Sequence, residues 1–310
     1  MSILFVFPGQ GSQRPGMLQQ LPAHAACQAV LAEAEAVLGS SPYLLDSAAA
    51  LRSTVAVQLC LLIAGVASAR LLQAEGIQPQ MVAGLSIGAF AAAVVAEALP
   101  LAAALRLVRR RGQLMEQAYP QGYGMSVVSG LALPQLDSLL AQLRAAGSPL
   151  YLANINAERQ LVVAGSEIGL QQLASLIQTG GAGRCQRLDI SVPSHCSLLD
   201  EAASALRQDV ARISLATPRL DYLSANAARV LRRPEQIADD LAGNMARLVR
   251  WHDCSRLAYE RGARLAVEML PGSTLSRLLK PVFAQGVVMN MAQDRLDSLQ
   301  AQARRAQAED

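Results

Sequence analysis

Apolar positions open the chain as an unbroken run, Ile3 to Phe7, which stops at the glycine-rich loop PGQGSQRPG. A short apolar run bounded by turn residues predicts a buried strand. Helical periods follow over about 23–38 and 53–73, and PQMVAG predicts a second short strand. A turn holding Ser86 comes next, then a helix from about Ala89 to Ala98; Pro100 interrupts it, and LAAALRLVRRRGQLMEQA resumes the helical period. Strands alternating with helices in this way predict a parallel sheet covered on its faces.

Over residues 126–191 the pattern changes. GMSVVSGL reads as a strand, PQLDSLLAQLRAAG as a helix, and LYLANINAERQLVVAGS as two strands around a polar turn. EIGLQQLASLIQTGG is again helical, and CQRLDIS reads as a final strand. The order βαββαβ is that of a ferredoxin-like unit. The chain is therefore expected to fold as a large α/β subdomain, 1–125 and 192–310, with a small ferredoxin-like subdomain, 126–191, inserted in it. Clefts between two such lobes favour ligands. The closing segment, AQDRLDSLQAQARRAQAED, is polar, helical in period and expected to fray at its end.

Composition narrows the function classes. With 310 residues, 52% of them hydrophobic and 16% charged, the chain can bury a large core and is not disordered. A net charge of +3 and 4% aromatic residues argue against a nucleic-acid partner. Lys280 is the sole lysine, a bias first attributed to genome composition. Five cysteines without a CxxC spacing predict neither structural disulfides nor a zinc site, which suits a reducing cytoplasm. MSILFVF lacks a basic leader and meets Pro8 at once, and the apolar run Thr54–Ala69 contains Gln58 and ends at Arg70. Both read as core elements, so a cytoplasmic protein with no membrane partner, metal or bound cofactor is expected.

Candidate chemistry begins at VAGLSIGAF, where Ser86 stands between Gly84 and Gly88. G-x-S-x-G between a strand and a helix is the nucleophile-elbow pattern, whose glycines let the backbone lift the hydroxyl clear of the sheet. The helix that follows turns its N-terminal amides toward the same point. A structural serine at a strand–helix junction is the competing reading, and the order strand, turn, helix favours the nucleophile.

Such a serine needs a base, and three histidines are available. His24, beside Pro22 early in a helix, and His252, after Trp251 on a polar helix, read as surface or structural residues. His195, in the loop SVPSHCSLL between a strand and a helix, is the candidate base. The loop FPGQGSQ offers backbone N–H groups to an oxyanion, and without a Gly-Lys-Ser/Thr ending it does not read as a nucleotide P-loop. Arg106, Arg109, Arg110 and Arg111 read, by charge pattern alone, as the solvated side of a helix.

Taken in order, FVFPGQGSQRPGM, GLSIGAF, RRRGQLM, NINAERQLVVAG, VPSHCSLL and LVRWHDCSRLAYERGARLAVEMLPGSTLSRL resemble the malonyl-CoA:acyl carrier protein transacylase family along essentially the whole chain. The resemblance implies an α/β-hydrolase-like large subdomain and a ferredoxin-like small one. It implies that Ser86 carries the acyl group and His195 acts as general base and then acid. The amides of Gln10 and Ile87 would form the oxyanion hole, and a backbone carbonyl at Asn244 would orient the histidine. Arg111 would pair with the free carboxylate of a malonyl group, which reverses the charge-pattern reading for that arginine alone. Asn156 would join it in binding substrate.

The sequence departs from the family pattern at the elbow, where Leu85 replaces histidine and Ala89 replaces glutamate, and at Leu248 and Asn244, where many members have proline and glutamine. The leucine and the short N-terminus most resemble the epsilon subunit of bacterial malonate decarboxylase. That branch implies malonyl-CoA as donor and the decarboxylase carrier subunit as acceptor, with the fatty-acid or polyketide acyl carrier protein as the alternative acceptor. A thioester hydrolase and a non-catalytic docking subunit are the competing classes.

Overall fold

The computed structural model describes residues 2–119, 121–181 and 183–308. In chain order its strands are β1 (Ser2–Phe7), β2 (Met81–Gly84), β3 (Tyr123–Ser129), β4 (Leu150–Ala157) and β5 (Gln160–Ser166). The remaining ones are β6 (Arg184–Arg187), β7 (Asp221–Ser224), β8 (Arg229–Leu231), β9 (Ala263–Glu268) and β10 (Val287–Asn290). The α-helices are α1 (Ala25–Leu38), α2 (Thr54–Ala74), α3 (Gly88–Val95), α4 (Leu101–Ala118), α5 (Leu133–Ala145) and α6 (Glu167–Gly180). After them come α7 (Asp200–Val210), α8 (Pro234–Gly243), α9 (Trp251–Glu260), α10 (Thr274–Leu279) and α11 (Leu296–Ala308).

The large sheet runs β10-β9-β1-β2-β7-β8, with β8 antiparallel at its edge and the other strands parallel. Its central strand β1 is buried from Ile3 to Phe7, which accounts for the unbroken apolar run. Helix α2 is long and apolar enough to cross a membrane, yet 89% of its apolar window is buried within the fold. It is a core helix, packed against α1, α3 and α4. Gly112 permits its closest approach to α4: a Cβ there would stand 2.7 Å from Val55 Cα.

The small sheet is antiparallel in the order β4-β5-β3-β6. This is a mixed α/β fold with a parallel sheet and a separate antiparallel subdomain, as the sequence pattern predicts. Strand alternation divides the small sheet's residues between its faces. Val128, Leu161 and Val163 pack with Leu136, Leu140 and Leu173 from α5 and α6. Met125, Val162 and Ala164 face the other way and cluster with Cys196 of the large lobe. A main-chain bridge also joins the lobes: Ile155 N–H donates to the Val249 carbonyl at 2.8 Å, and Val249 N–H donates to Ala153 at 2.9 Å.

Several elements differ from expectation. The strand expected over CQRLDIS ends at Arg187, whose guanidinium donates to the carbonyls of Met125, Leu188 and Ile190 and draws the chain out of the sheet. The helix after the serine turn stops at Val95, because Glu97 takes a left-handed backbone, φ 59°. Strands β7 to β10 of the large sheet are not among the elements the sequence pattern predicts: β7, β8 and β10 carry three or four residues each, and the apolar run of β9 is interrupted by Arg264.

Candidate active site

Strand β2 delivers Ser86 on a tight turn into α3, with Ser86 itself left-handed at φ 56°. A Cβ at Gly84 would lie 2.1 Å from Gly88 C, and one at Gly88 would lie 2.2 Å from Phe7 O. Both glycines are therefore demanded by contact with backbone. Gly9 meets the same turn, since a Cβ there would come within 2.6 Å of a Leu85 side-chain carbon. The β1 loop thus lies against the elbow, which puts Gln10 beside Ser86 in one cavity. Neither the Gln10 nor the Ile87 N–H has a protein acceptor among the described residues.

His195 reaches the serine from the far side. Its Nε2 lies 2.9 Å from Ser86 Oγ. Its Nδ1 lies 2.8 Å from the Asn244 carbonyl oxygen and 3.2 Å from that of Arg247. Carbonyl oxygens only accept, so the ring proton sits on Nδ1 and Nε2 is free to accept from the Ser86 hydroxyl. The His195 backbone is also left-handed, φ 66°, and its N–H donates to Met245 O. Burial pushes the imidazole down to about 4, the Arg111 charge acts in the same direction, and the two carbonyls oppose both. No carboxylate touches the ring among the described residues.

Arg111 is 1% exposed. The other arginines of α4 behave as the charge pattern predicts: Arg106 is exposed, Arg110 pairs with Asp209, and half-buried Arg109 donates to Leu38 O. Arg111 instead turns inward. Its Nη2 lies 3.3 Å from Ser86 Oγ and 3.1 Å from Asn244 Oδ1. Its Nε has no partner, and no carboxylate pairs with it among the described residues. Burial lowers its pKa, yet a guanidinium is basic enough to remain cationic. Asn244, wholly buried at the end of α8, also donates from Nδ2 to Ser86 O at 3.1 Å.

Asn156 stands apart from this cluster, half-buried on β4 and 3.4 Å from Asn154 Nδ2. Both asparagines line the serine cavity, about 280 Å³, beneath Met125 and Val127 of the small sheet. Asn154 was not singled out in the sequence; it is 5% exposed, and its Oδ1 lacks a partner. The signal was present, because residues two apart on a strand share a face. His24 caps α1 and His252 lines a different cavity, which leaves His195 as the histidine at the serine.

A strand–turn–helix serine, a buried imidazole and an inward-turned guanidinium meet beneath a four-stranded roof, an arrangement suited to nucleophilic chemistry on an acyl group. The chain belongs to the acyl transferase domain family, which matches residues 4–305. It is 33% identical over 284 residues to the malonyl CoA-acyl carrier protein transacylase of Escherichia coli K12, covering 90% of this chain and 92% of that protein. The crystal structure of an acyl-carrier-protein S-malonyltransferase from Burkholderia pseudomallei superposes with a TM-score of 0.91 at 33% identity, covering 96% of this chain and 99% of that one. A malonyl-transacylase solved in complex with a type II polyketide synthase acyl-carrier protein gives 0.90 at 31% identity, covering 98% and 100%.

Proposed function

We propose that this chain transfers malonyl groups from malonyl-CoA to the thiol of an acyl carrier protein through an ester on Ser86. The observation that carries the reading is Arg111, a buried cation next to the nucleophile with no carboxylate of its own. A malonyl carboxylate supplies the missing counter-charge, and the guanidinium fork fixes its orientation.

In the first half-reaction His195 Nε2 takes the Ser86 proton as Oγ attacks the thioester carbon. The carbonyl oxygen becomes an oxyanion facing the Gln10 and Ile87 amides. Collapse breaks the C–S bond, and the proton on Nε2 passes to the departing CoA sulfur. In the second half-reaction the carrier thiol gives its proton to Nε2 and attacks the ester, and the proton then returns to Ser86 Oγ. Asn244 is the group that holds the imidazole through its carbonyl, and Asn156 contributes to arm binding. The malonyltransferases named above support the donor and acceptor classes.

For the acceptor, the transacylases of fatty-acid and polyketide type are the nearer precedent. The decarboxylase carrier subunit is a second reading, favoured by Leu85 at the elbow. An intact-mass spectrum after malonyl-CoA treatment tests the main reading. One malonyl adduct on the wild type and none on Ser86→Ala, discharged by a carrier, is the expected result. CoA release without an adduct would indicate a hydrolase instead, and no reaction a docking subunit. Discharge rates with the two carriers separate the acceptor readings.

A further inference from the structure

The serine cavity is too small for a whole acyl-CoA: at about 280 Å³ it falls below the usual range for drug-sized ligands, roughly 300–1,000 Å³. A second cavity, of about 610 Å³, shares Gln160 and Leu278 with it. It lies between the β4–β5 turn and α9, and its lining has two characters. Tyr259, Pro281 and Val282 form an apolar side, with Arg264 4.2 Å over the Tyr259 ring and Phe283 packed against it, so a flat heterocycle would meet the part of the tyrosine that faces the cavity. Arg159, Arg256 and His252 form a side rich in donors.

These donors are available. The His252 side chain makes no hydrogen bond to the protein among the described residues. Among the described residues the Arg256 side chain reaches only Glu260, at 3.4 Å in an exposed pair of the kind that contributes little. Arg159 is tied by one bond to Gly130 O. Arg277 and Lys280, one turn apart beside Leu278, add two cations without a carboxylate partner among the described residues. Glu158 and Glu260 also line the cavity, two carboxylates against its two arginines, so the excess of positive charge comes from Arg277 and Lys280 next to the lining residue Leu278. The other neighbouring cavity, which shares Gln10 and Ile190, carries one arginine, Arg52, against Asp189 and contains no aromatic side chain.

We propose that this second cavity binds the adenosine 3′-phosphate 5′-diphosphate half of the acyl-CoA donor, with its base against Tyr259 and its phosphates on Arg159, Arg256 and His252. The proposal rests on the donor being a CoA thioester. The pantetheine arm then runs from the second cavity past Gln160 to Ser86, and the donor is selected by a part of the molecule remote from the chemistry.

The test compares malonyl-CoA with malonyl-pantetheine, which lacks the nucleotide, in the acylation of Ser86. Arg159→Gln/Arg256→Gln and His252→Ala are the variants, with Arg52→Gln as the control at the other mouth. Removing one phosphate-binding side chain is expected to raise KM for malonyl-CoA about tenfold, with kcat unchanged and malonyl-pantetheine kinetics unaltered. Equal losses with both donors, or none with either, would overturn the proposal, as would an effect of Arg52→Gln alone. Calorimetric titration with adenosine 3′,5′-bisphosphate separates this proposal from the reading it rests on. Binding to wild type and Ser86→Ala but not to the arginine variant, in a protein that accepts no malonyl group, would overturn the malonyl-transfer reading and leave the nucleotide site standing. No binding to wild type would overturn the site itself.

Discussion

Arg111 Nη2 stands 3.3 Å from Ser86 Oγ, so one guanidinium nitrogen of a buried arginine and the candidate nucleophile share a hydrogen bond. An acyl group esterified at Oγ must turn its far end past that cation, and a free carboxylate gains there what a methyl group cannot. Arg111→Ala is expected to lower malonyl acylation about 10- to 100-fold, the value of a charge-assisted contact. Acetyl acylation is expected to be spared. Competition between the two acyl-CoAs, read by mass, checks the ratio; an equal fall for both would remove Arg111 from substrate selection.

The buried histidine sets an unusual acid limb. With its imidazole pushed down to about 4, His195 stays neutral well below the usual histidine range, and kcat/KM for acylation is expected to hold until the pH approaches 4. Arg111→Met removes one of the two downward influences and is expected to move the limb upward. The same shift bears on stability. Between about 6.5 and 4 an unfolded histidine binds a proton that the folded one refuses, so stability falls as the pH drops through that window. Urea titrations at stepped pH should show a steeper acid loss in wild type than in His195→Gln.

At the alkaline end the Arg111 guanidinium keeps its charge, whereas in Arg111→Lys a buried ammonium gives up its proton more readily and KM for malonyl-CoA is expected to rise. The rise belongs to malonyl alone. Acetyl-CoA, measured alongside, should show no matching change.

Asn244 touches three partners: its carbonyl meets His195, its Oδ1 meets Arg111, and its Nδ2 meets the Ser86 backbone. Asn244→Asp retains the carbonyl but puts a carboxylate against the guanidinium, taking the place of the substrate's own. Its KM for malonyl-CoA should rise about tenfold or more, while acetyl acylation stays closer to wild type. Loss of both activities together would mean that the carboxamide matters to the histidine or the elbow instead.

Gly88→Ala drives a Cβ to 2.2 Å from Phe7 O, at the crossing of the elbow with β1. Overpacking of this kind costs about 1–3 kcal/mol, and Tm should fall accordingly with acylation lost. Gly180→Ala, where a Cβ meets nothing within 4 Å, is the control and should leave Tm nearly unchanged.

The sequence revealed the site unevenly. The elbow was legible because glycine, serine and an apolar strand fall in local order, and close backbone contact fixes that order. Arg111 was not legible from charge pattern, since its three neighbours on α4 do what charge predicts; the difference lies in the crossing at Gly112, a tertiary contact. The small sheet showed itself through strand-like runs set between two helices, whereas β7, β8 and β10 are short and β9 has its apolar run broken by Arg264. The left-handed backbone at His195 left no mark in composition, because it depends on Met245 in a distant segment.

The two main-chain bonds between β4 and Val249 carry a lesson for redesign. They sew the roof of the acyl cavity to the tract that runs back through Arg247 to Asn244, so the two segments form one seam although some ninety residues of sequence lie between them. A chimera that exchanges only residues 123–187 for those of a relative inherits half of that seam. Transplanting acyl selectivity therefore calls for moving both edges of the stitch together.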